Sequence, residues 1–530
     1  MKKKRTVLVF IVVTVILIIL GIIYKLNSRE KMDYISLVYR YQLPNKMFVD
    51  DVKKYESSDL FSTSTMSKIN GVINNRKSSI DISKFELKYD SIDEIYYLYN
   101  TEIELSDVQK SHYKNFIDDY MNEDGLAGHP EEMDEEVRLI FTLYVVSFAK
   151  ENSIDIDDIE VTKMAVSNRI NAITNEDNLF YVSTIIQLAD FFDVRYERSK
   201  IENYYNNKKD CLNNIEIGDV VDVMNIHYLG VIKSTLGIED ELTEEVQHDI
   251  VGCVYYSYTT LSLFYDAVKI LNEYNLLDDY YEVIQECISK IDEHYLLEDN
   301  TYSAVIPQTP SIMATYCGVY LLYNQQDSME LDKSIISDYL KMYLDDERYK
   351  DVSAEELFYI YETLLIVNPN LANDNSCKGK ILEKVNYFLN SNDSYRLIDM
   401  YCIQRLYFRL GMNQEMDLKR KTKQIIQENN GKEMSLTNYS LLVLISKNIN
   451  DVTETQEKIQ SMENEIHTIM DMYYYLMLCD TLEIKVDKKN IGKELKKLRS
   501  EDGYYISSKQ KECTLFSLYL GYNIESMLNK

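Results

Sequence analysis

The chain has 530 residues, with 87 acidic side chains against 57 basic ones, a formal net charge of −30, 46 tyrosines and no tryptophan. A field of that sign repels phosphate backbones and anionic headgroups, so nucleic acid is not expected as a partner; the charge reads as solubility or as a match to a cationic partner. Fifteen glycines and five prolines are too few for a turn-rich β fold, and apolar residues at helical spacing point to an all-α protein.

The N-terminus reads MKKKRTVLVFIVVTVILIILGIIYK, and residues 6–24 carry no charge. Nineteen residues at about 1.5 Å each span roughly 28 Å, close to a bilayer's hydrocarbon thickness. The run exceeds the apolar core of a signal peptide, and Gly21-Ile22-Ile23-Tyr24 offers no small-x-small cleavage site. An uncleaved signal anchor is the expectation. Lys2, Lys3, Lys4 and Arg5 precede it, against Lys25, Arg29 and Lys31 after it. The positive-inside rule then puts the tail 1–5 in the cytoplasm and the rest outside it, as a single-pass protein of the cell membrane. Without the four tail cations the remainder carries −34.

Residues 25–110 read as a polar helical stalk with the first hairpins. VDDVKKYESSDLFSTSTMSKINGVINNRKSSIDISKF is Ser-rich, and YDSIDEIYYLYNTEIELSD suits a first helix pair. From residue 111 a unit recurs. NEDGLAGHPEEMDEEVRLIFTLYVVSFAKE begins at Asn122, LEDNTYSAVIPQTPSIMATYCGVYLLYN at Leu297, and SEDGYYISSKQKECTLFSLYLGYNIE at Ser500. Each has an acid, then Gly or Asn, a loop with a ring or Leu, and an apolar helix. In the second copy Ile312, Thr315, Tyr316, Val319, Tyr320 and Tyr323 share one helical face, and Thr309 before Pro310 suits an N-cap. Weaker copies start at Asn175, Asp345 and Ser391, and stretches from Val220 and Val251 fit between. Direct steps between the acidic anchors are 53 residues (Asp124 to Asp177) and 47 (Asp299 to Asp346 to Asp393), a period for stacked pairs of helices.

The D-G-aromatic loop leading into IMATYCGVYLLY resembles the repeats of the α/α toroid, the fold of terpenoid cyclases and protein prenyltransferase β-subunits. The resemblance implies inner and outer helices alternating around a closed ring with a central cavity, here over 111–530. An open helical solenoid of the tetratricopeptide type is the alternative. The cyclase repeats carry a Trp after the D-G; here Tyr504–Tyr505 and Tyr302 stand in that place.

Asp155-Ile156-Asp157-Asp158 matches the D-x-D-D motif of class II cyclases. The resemblance implies Asp157 as a proton donor supported by Asp155 and Asp158, which requires a buried neutral carboxyl. Read from the residues themselves, the cluster opens the apolar-periodic run Ile159, Met164, Ala165 and Ile170, where Asp155 or Asp157 suits an N-cap and Asp158 a first turn. A prenyltransferase-type zinc site needs Asp, Cys and His. Asp399 and Cys402 stand at i, i+3 with no His to complete them, and His129 among Asp124, Glu131, Glu132 and Asp134 reads as a helix start. No metal and no cofactor are expected. The eight cysteines form no C-x-x-C pair, and Cys317, Cys402 and Cys513 read as small core residues.

The functional expectation is a non-catalytic binding or assembly module of the cell envelope, with a protein, peptide or glycan partner. The alternative is an enzyme acting on envelope glycan or a polyisoprenoid, which requires acids from different repeats to converge in the cavity.

Overall fold

The computed structural model describes residues 32–52, 57–210, 220–326, 331–345, 352–390, 396–412, 416–429, 432–448 and 456–530. The span expected at 6–24 and the anchors Asp346 and Asp393 lie outside them. Among the described residues no helix is long and apolar enough to cross a membrane. The protein is all-α and repeats a helical unit.

The chain divides into two compact units. Residues 57–309 form one, and residues 32–52 together with those from Pro310 onward form the other. The repeat domain expected over 111–530 thus spans the division after Thr309, and the stalk and first hairpins expected over 25–110 are shared between the units. Residues 32–52 belong with the C-terminal half, and residues 57–110 supply the first helices of the other unit.

In the unit 57–309, six helices carry the core: α1 (Leu60–Asn74), α2 (Ile92–Tyr99), α3 (Glu135–Glu151), α4 (Leu179–Phe191), α5 (Val220–Leu236) and α6 (Leu261–Glu273). Each packs against the next and α6 packs against α1, so the circuit is closed. Helices between them in sequence bury a narrower stripe. Ile159–Ala172 buries Thr162, Ala165, Val166 and Ile170, the i, i+3, i+4, i+8 pattern of an amphipathic helix. By contrast α4 buries Leu179, Val182, Ser183, Thr184, Ile185 and Ile186 in nearly unbroken succession, because it is covered on several sides.

Helix α1 is Ser/Thr-rich and yet an inner helix. Ser62, Thr63, Ser64, Thr65 and Ser67 look solvent-facing in sequence, yet all are buried. Their hydroxyls find backbone partners: Ser64 Oγ donates to Tyr97 O (2.7 Å) and Thr65 Oγ1 to Phe61 O (2.9 Å). A satisfied hydroxyl is cheap to bury, so a Ser/Thr-rich helix can be an inner one. The circuit is also fastened at its ends. Asp59 N donates to Tyr302 O (2.8 Å), Tyr302 N to Thr63 Oγ1 (2.9 Å), and Ser58 Oγ lies 2.7 Å from Thr301 Oγ1.

The second unit has the same plan. Its core helices are α7 (Ile312–Asn324), α8 (Ala354–Val367), α9 (Leu397–Arg409), α10 (Leu436–Asn448), α11 (Ile469–Thr481) and α12 (Leu515–Asn529). Each packs against the next, and α12 closes on α7. The segment 32–52 lies across that closure. Ser311 N donates to Phe48 O (3.0 Å), while Leu515 N and Phe516 N donate to Asp50 O and Oδ1 (2.8 Å each). The Phe48 ring sits on Gly318, where any Cβ would collide with it.

Helix α7 starts two residues later than expected. Ser311, not Thr309, is its N-cap and accepts from Ala314 N, while Pro310 O accepts from Tyr339 Oη (3.2 Å). The stretch LEDNTYSAVIPQTPSIMATYCGVYLLYN thus belongs to both units, with the division after Thr309. The three strongest sequence copies share a local form. In each, an antiparallel bridge or hairpin precedes a core helix: Met121 with Ala127, Leu296 with Tyr302, and Arg499–Ser500 with Gly503–Tyr504. The Gly or Asn after the acid sits at positive φ, with Gly125 at 79° and Asn300 at 63°. That conformation is what the recurrent D-G and D-N pairs encode.

Candidate functional site

All six core helices of the unit 57–309 face a shared cavity of about 710 Å³, and each contributes a stripe at helical spacing. Ser262, Tyr265, Asp266 and Lys269 are the stripe of α6, at i, i+3, i+4 and i+7. Phe180, Ser183, Thr184 and Gln187 are the matching stripe of α4. These positions interrupt apolar helices with polar groups, and the volume falls within the ~300–1,000 Å³ of small-molecule sites.

Lys68, on α1, sits among aromatic side chains. Its Nζ donates to Tyr96 Oη (3.0 Å) and lies 3.8 Å from the centroid of the Tyr265 ring and 5.1 Å from that of Tyr96. Burial works against the ammonium charge, and Tyr265, Tyr96 and Tyr144 outweigh it, so its pKa lies above the ordinary lysine value. Lys68 is therefore a cation and not a Schiff-base nucleophile, which would need a depressed pKa. Burial in turn lifts the Asp266 carboxyl to about 6, against a smaller downward pull from Lys68.

Behind this wall lies a second polar group. Glu273, 3% exposed, has Lys269 Nζ at 3.5 Å and His227 Nδ1 at 3.8 Å. Neither His227 Nδ1 nor Glu273 Oε2 has a hydrogen-bond partner. Burial pushes Glu273 up to about 8, with Lys269 pulling it down. Burial, with Lys68 and Lys269 adding to it, holds His227 down to about 3. At neutral pH the imidazole is uncharged. Gly230 allows the arrangement, since a Cβ there would strike the Glu273 carboxylate.

The second unit differs. Its central cavity is about 230 Å³, and tyrosines take up the room. Tyr316 stacks on Tyr359 (5.0 Å between centroids), while Tyr519 meets Tyr316 at 5.5 Å and Tyr320 at 5.1 Å. Two of its charged groups pair: Glu362 receives both Nε and Nη2 of Arg409, at 2.6 and 3.0 Å, while Arg405 lies over the Tyr401 ring at 6.0 Å.

Of the sequence-derived site residues only Cys402 borders a cavity, that of the second unit; Asp155, Asp157, Asp158, Asp399 and His129 line neither. Asp155, Asp157 and Asp158 are exposed before the outer helix Ile159–Ala172. Asp157 pairs with Lys114 Nζ at 2.8 Å. Asp158, not Asp155 or Asp157, is the N-cap residue, at φ 56° and without a side-chain cap bond. A surface carboxylate paired with lysine is not the buried neutral acid that the D-x-D-D resemblance implies. Asp399 holds Arg396 through two bonds of 2.9 Å, and burial pushes the Cys402 thiol well up. His129 is exposed, and among the described residues no group of three or more His, Cys, Asp or Glu is placed to hold a metal ion. Lys68, Asp266 and Glu273 went unmarked in the sequence. The signal for the two acids was present as the polar stripe of α6, whereas Lys68 was hidden in a stretch polar throughout. Compared with known proteins, the chain matches no family model, and no curated protein is similar to it in sequence.

Proposed function

We propose that the chain is a ligand-binding protein of the cell envelope, built on two α/α toroids and anchored by residues 6–24, with its ligand in the cavity of the unit 57–309. The closed order of core helices in each unit supports the toroid over the open solenoid. The anchor and the extracytoplasmic placement rest on the charge and hydropathy of the first 31 residues. The observation that carries the binding reading is the roomy cavity into which six helices turn aromatic faces, an ammonium and a carboxyl, within an architecture otherwise able to fill its centre.

Binding is favoured over hydrolysis because of the carboxylate count. Glycoside hydrolysis of the usual kind sets two carboxyls about 5–10 Å apart across the substrate. Among the described residues that line this cavity, Asp266 is the one carboxylate.

The test is thermal unfolding and hydrogen exchange of the full-length protein against soluble envelope glycan fragments, peptides and lipid-headgroup analogues. One class is expected to raise the unfolding temperature and protect α1, α5 and α6; at 100 times Kd the stabilisation is about 2.7 kcal/mol. A double variant Tyr228→Ala, Tyr265→Ala is expected to abolish it. Protection of other segments, or of none by any class, would refute the reading.

A further inference from the structure

Lys68 is an unanswered charge. An ammonium has three N–H donors, and here one goes to Tyr96 Oη (3.0 Å) while the Tyr265 ring covers another side. Other cations on the cavity wall have carboxylate partners: Lys77 has Glu151 at 2.7 Å and Lys269 has Glu273 at 3.5 Å. Among the described residues no carboxylate lies within 4.0 Å of Lys68, Asp266 included, in a chain with 87 acids to choose from. Holding a cation inside a protein without an anion is costly, and the cost falls when an anion arrives.

The facing wall asks for the opposite kind of partner. Ser183 Oγ and Thr184 Oγ1 both donate to Phe180 O, at 3.0 and 2.8 Å, and Gln187 Nε2 donates to Ser183 O at 3.3 Å. The hydroxyl protons of Ser183 and Thr184 and one amide proton of Gln187 are spent on the backbone of α4, which leaves the hydroxyl lone pairs and Gln187 Oε1 as acceptors. Such a surface accepts hydrogen bonds and is best met by hydroxyl groups. Flat aromatic faces beside it, Phe180 against Tyr228 at 5.3 Å, suit the C–H face of a sugar ring.

We infer that the ligand of this cavity is a carboxylated sugar, its anionic group on Lys68 and its hydroxyls donated to the acceptor wall of α4. One unpaired ammonium matches a single negative charge, which favours a carboxylate over a dianionic phosphate. The assignment rests on the reading of this cavity as the ligand site.

The experiment is calorimetric titration of the full-length protein, at low ionic strength, with short oligomers of glucuronate, galacturonate and mannuronate. The neutral hexose counterparts, a sugar phosphate and an acidic tripeptide are titrated beside them. The expected result is that a uronate binds about tenfold or more tighter than its neutral counterpart. Lys68→Met removes that margin and Lys68→Arg restores part of it. Should Lys68→Met not fold, the uronate-to-neutral ratio on the unaltered protein and its change in Lys68→Arg decide the matter. Equal binding of charged and neutral sugars, lost in Tyr265→Ala, would overturn the anion assignment and leave the cavity as a site. Tighter binding of the sugar phosphate or the tripeptide would overturn the choice of a carboxylated sugar. Uronate binding unchanged by both Lys68→Met and Tyr265→Ala would overturn the cavity reading as well, and no uronate binding at all would overturn this inference.

Discussion

Two units of one chain repeat the same closed circuit of six helices and end with opposite centres. In the unit 57–309 the middle is a cavity of about 710 Å³ edged by Lys68, Asp266 and His227. In the unit that begins again at Pro310, tyrosines from α7, α8, α11 and α12 leave about 230 Å³, and charged groups such as Glu362 and Arg409 satisfy each other. Closure of the circuit therefore does not require a hollow centre. The fold can spend its aromatic residues on filling the middle, as α12 does with Tyr519, or on walls around a gap, as α6 does with Tyr265. A gap kept open at the expense of packing, bordered by a cation without a carboxylate partner, is what the proposed binding site rests on.

The same truncation in each centre should separate the two designs. Tyr519 packs against Tyr316, Tyr320, Tyr473 and Phe516 and is buried. Tyr519→Ala is expected to cost its unit about 3–5 kcal/mol, the range for removing a large buried ring. Tyr265 borders empty space and gives up its contacts with Lys68 and the His227 ring, so Tyr265→Ala should cost its unit about 1–2 kcal/mol. Hydrogen exchange in denaturant reads each unit separately, which a single unfolding midpoint does not. Equal losses would break the contrast and make Tyr265 a packing residue.

A second difference is electrostatic. Glu273 has its carboxyl raised to about 8 by burial, above the ordinary value near 4.5. A group raised in the folded state contributes stability that is full below its unfolded pKa and is lost as pH rises through the folded one. The loss therefore runs from about pH 4.5 to pH 8. His227, held down to about 3, acts the other way and loses stability as pH falls below about 6.5. Lys269, Lys233 and Asp266 complete the charged surroundings. Glu273→Gln should leave the His227 slope in place and remove the fall toward pH 8. The gain over the unaltered protein should be on the order of 2–4 kcal/mol larger at pH 9 than at pH 4.5. Unfolding of the first unit at a series of pH values checks it. A difference constant with pH would mean that Glu273 is solvated and that the polar group behind the cavity wall is not dry.

The contrast also shows what could be read in advance. The all-α class and several core helices were legible, because α3, α7 and α12 carry apolar faces at helical spacing behind a D-G or D-N turn that demands positive φ. The number of circuits was not legible. Both circuits use the same repeat, and the division after Thr309 falls inside one of its clearest copies. Nor could the pairing of residues 32–52 with α7 and α12 be foreseen, since it rests on contacts such as Asp50 with Phe516 that are hundreds of positions apart. Lys68 was concealed by its neighbours. Five buried hydroxyl residues gave α1 the composition of a linker, although each short side chain can return its proton to a nearby carbonyl.

The smallest expected effect belongs to the residues that stood out most in sequence. Asp157 offers one oxygen to Lys114 at 2.8 Å on an exposed surface, and Asp155 contributes its backbone carbonyl to the same ammonium at 3.0 Å. Exposed pairs of this kind are worth about 0–1 kcal/mol because water and salt screen them and two side chains must be held still. Asp157→Asn should thus change the stability of the first unit by no more than about 0.5 kcal/mol and leave binding in its cavity unaltered, whereas Lys68→Met should remove most of the binding. If Asp157→Asn instead abolished a ligand-dependent rise in unfolding temperature, the chemistry would belong to the acidic loop before the outer helix Ile159–Ala172. The open centre would then be a packing fault shared by neither the ligand nor the fold, and the difference between the two units would lose its functional meaning.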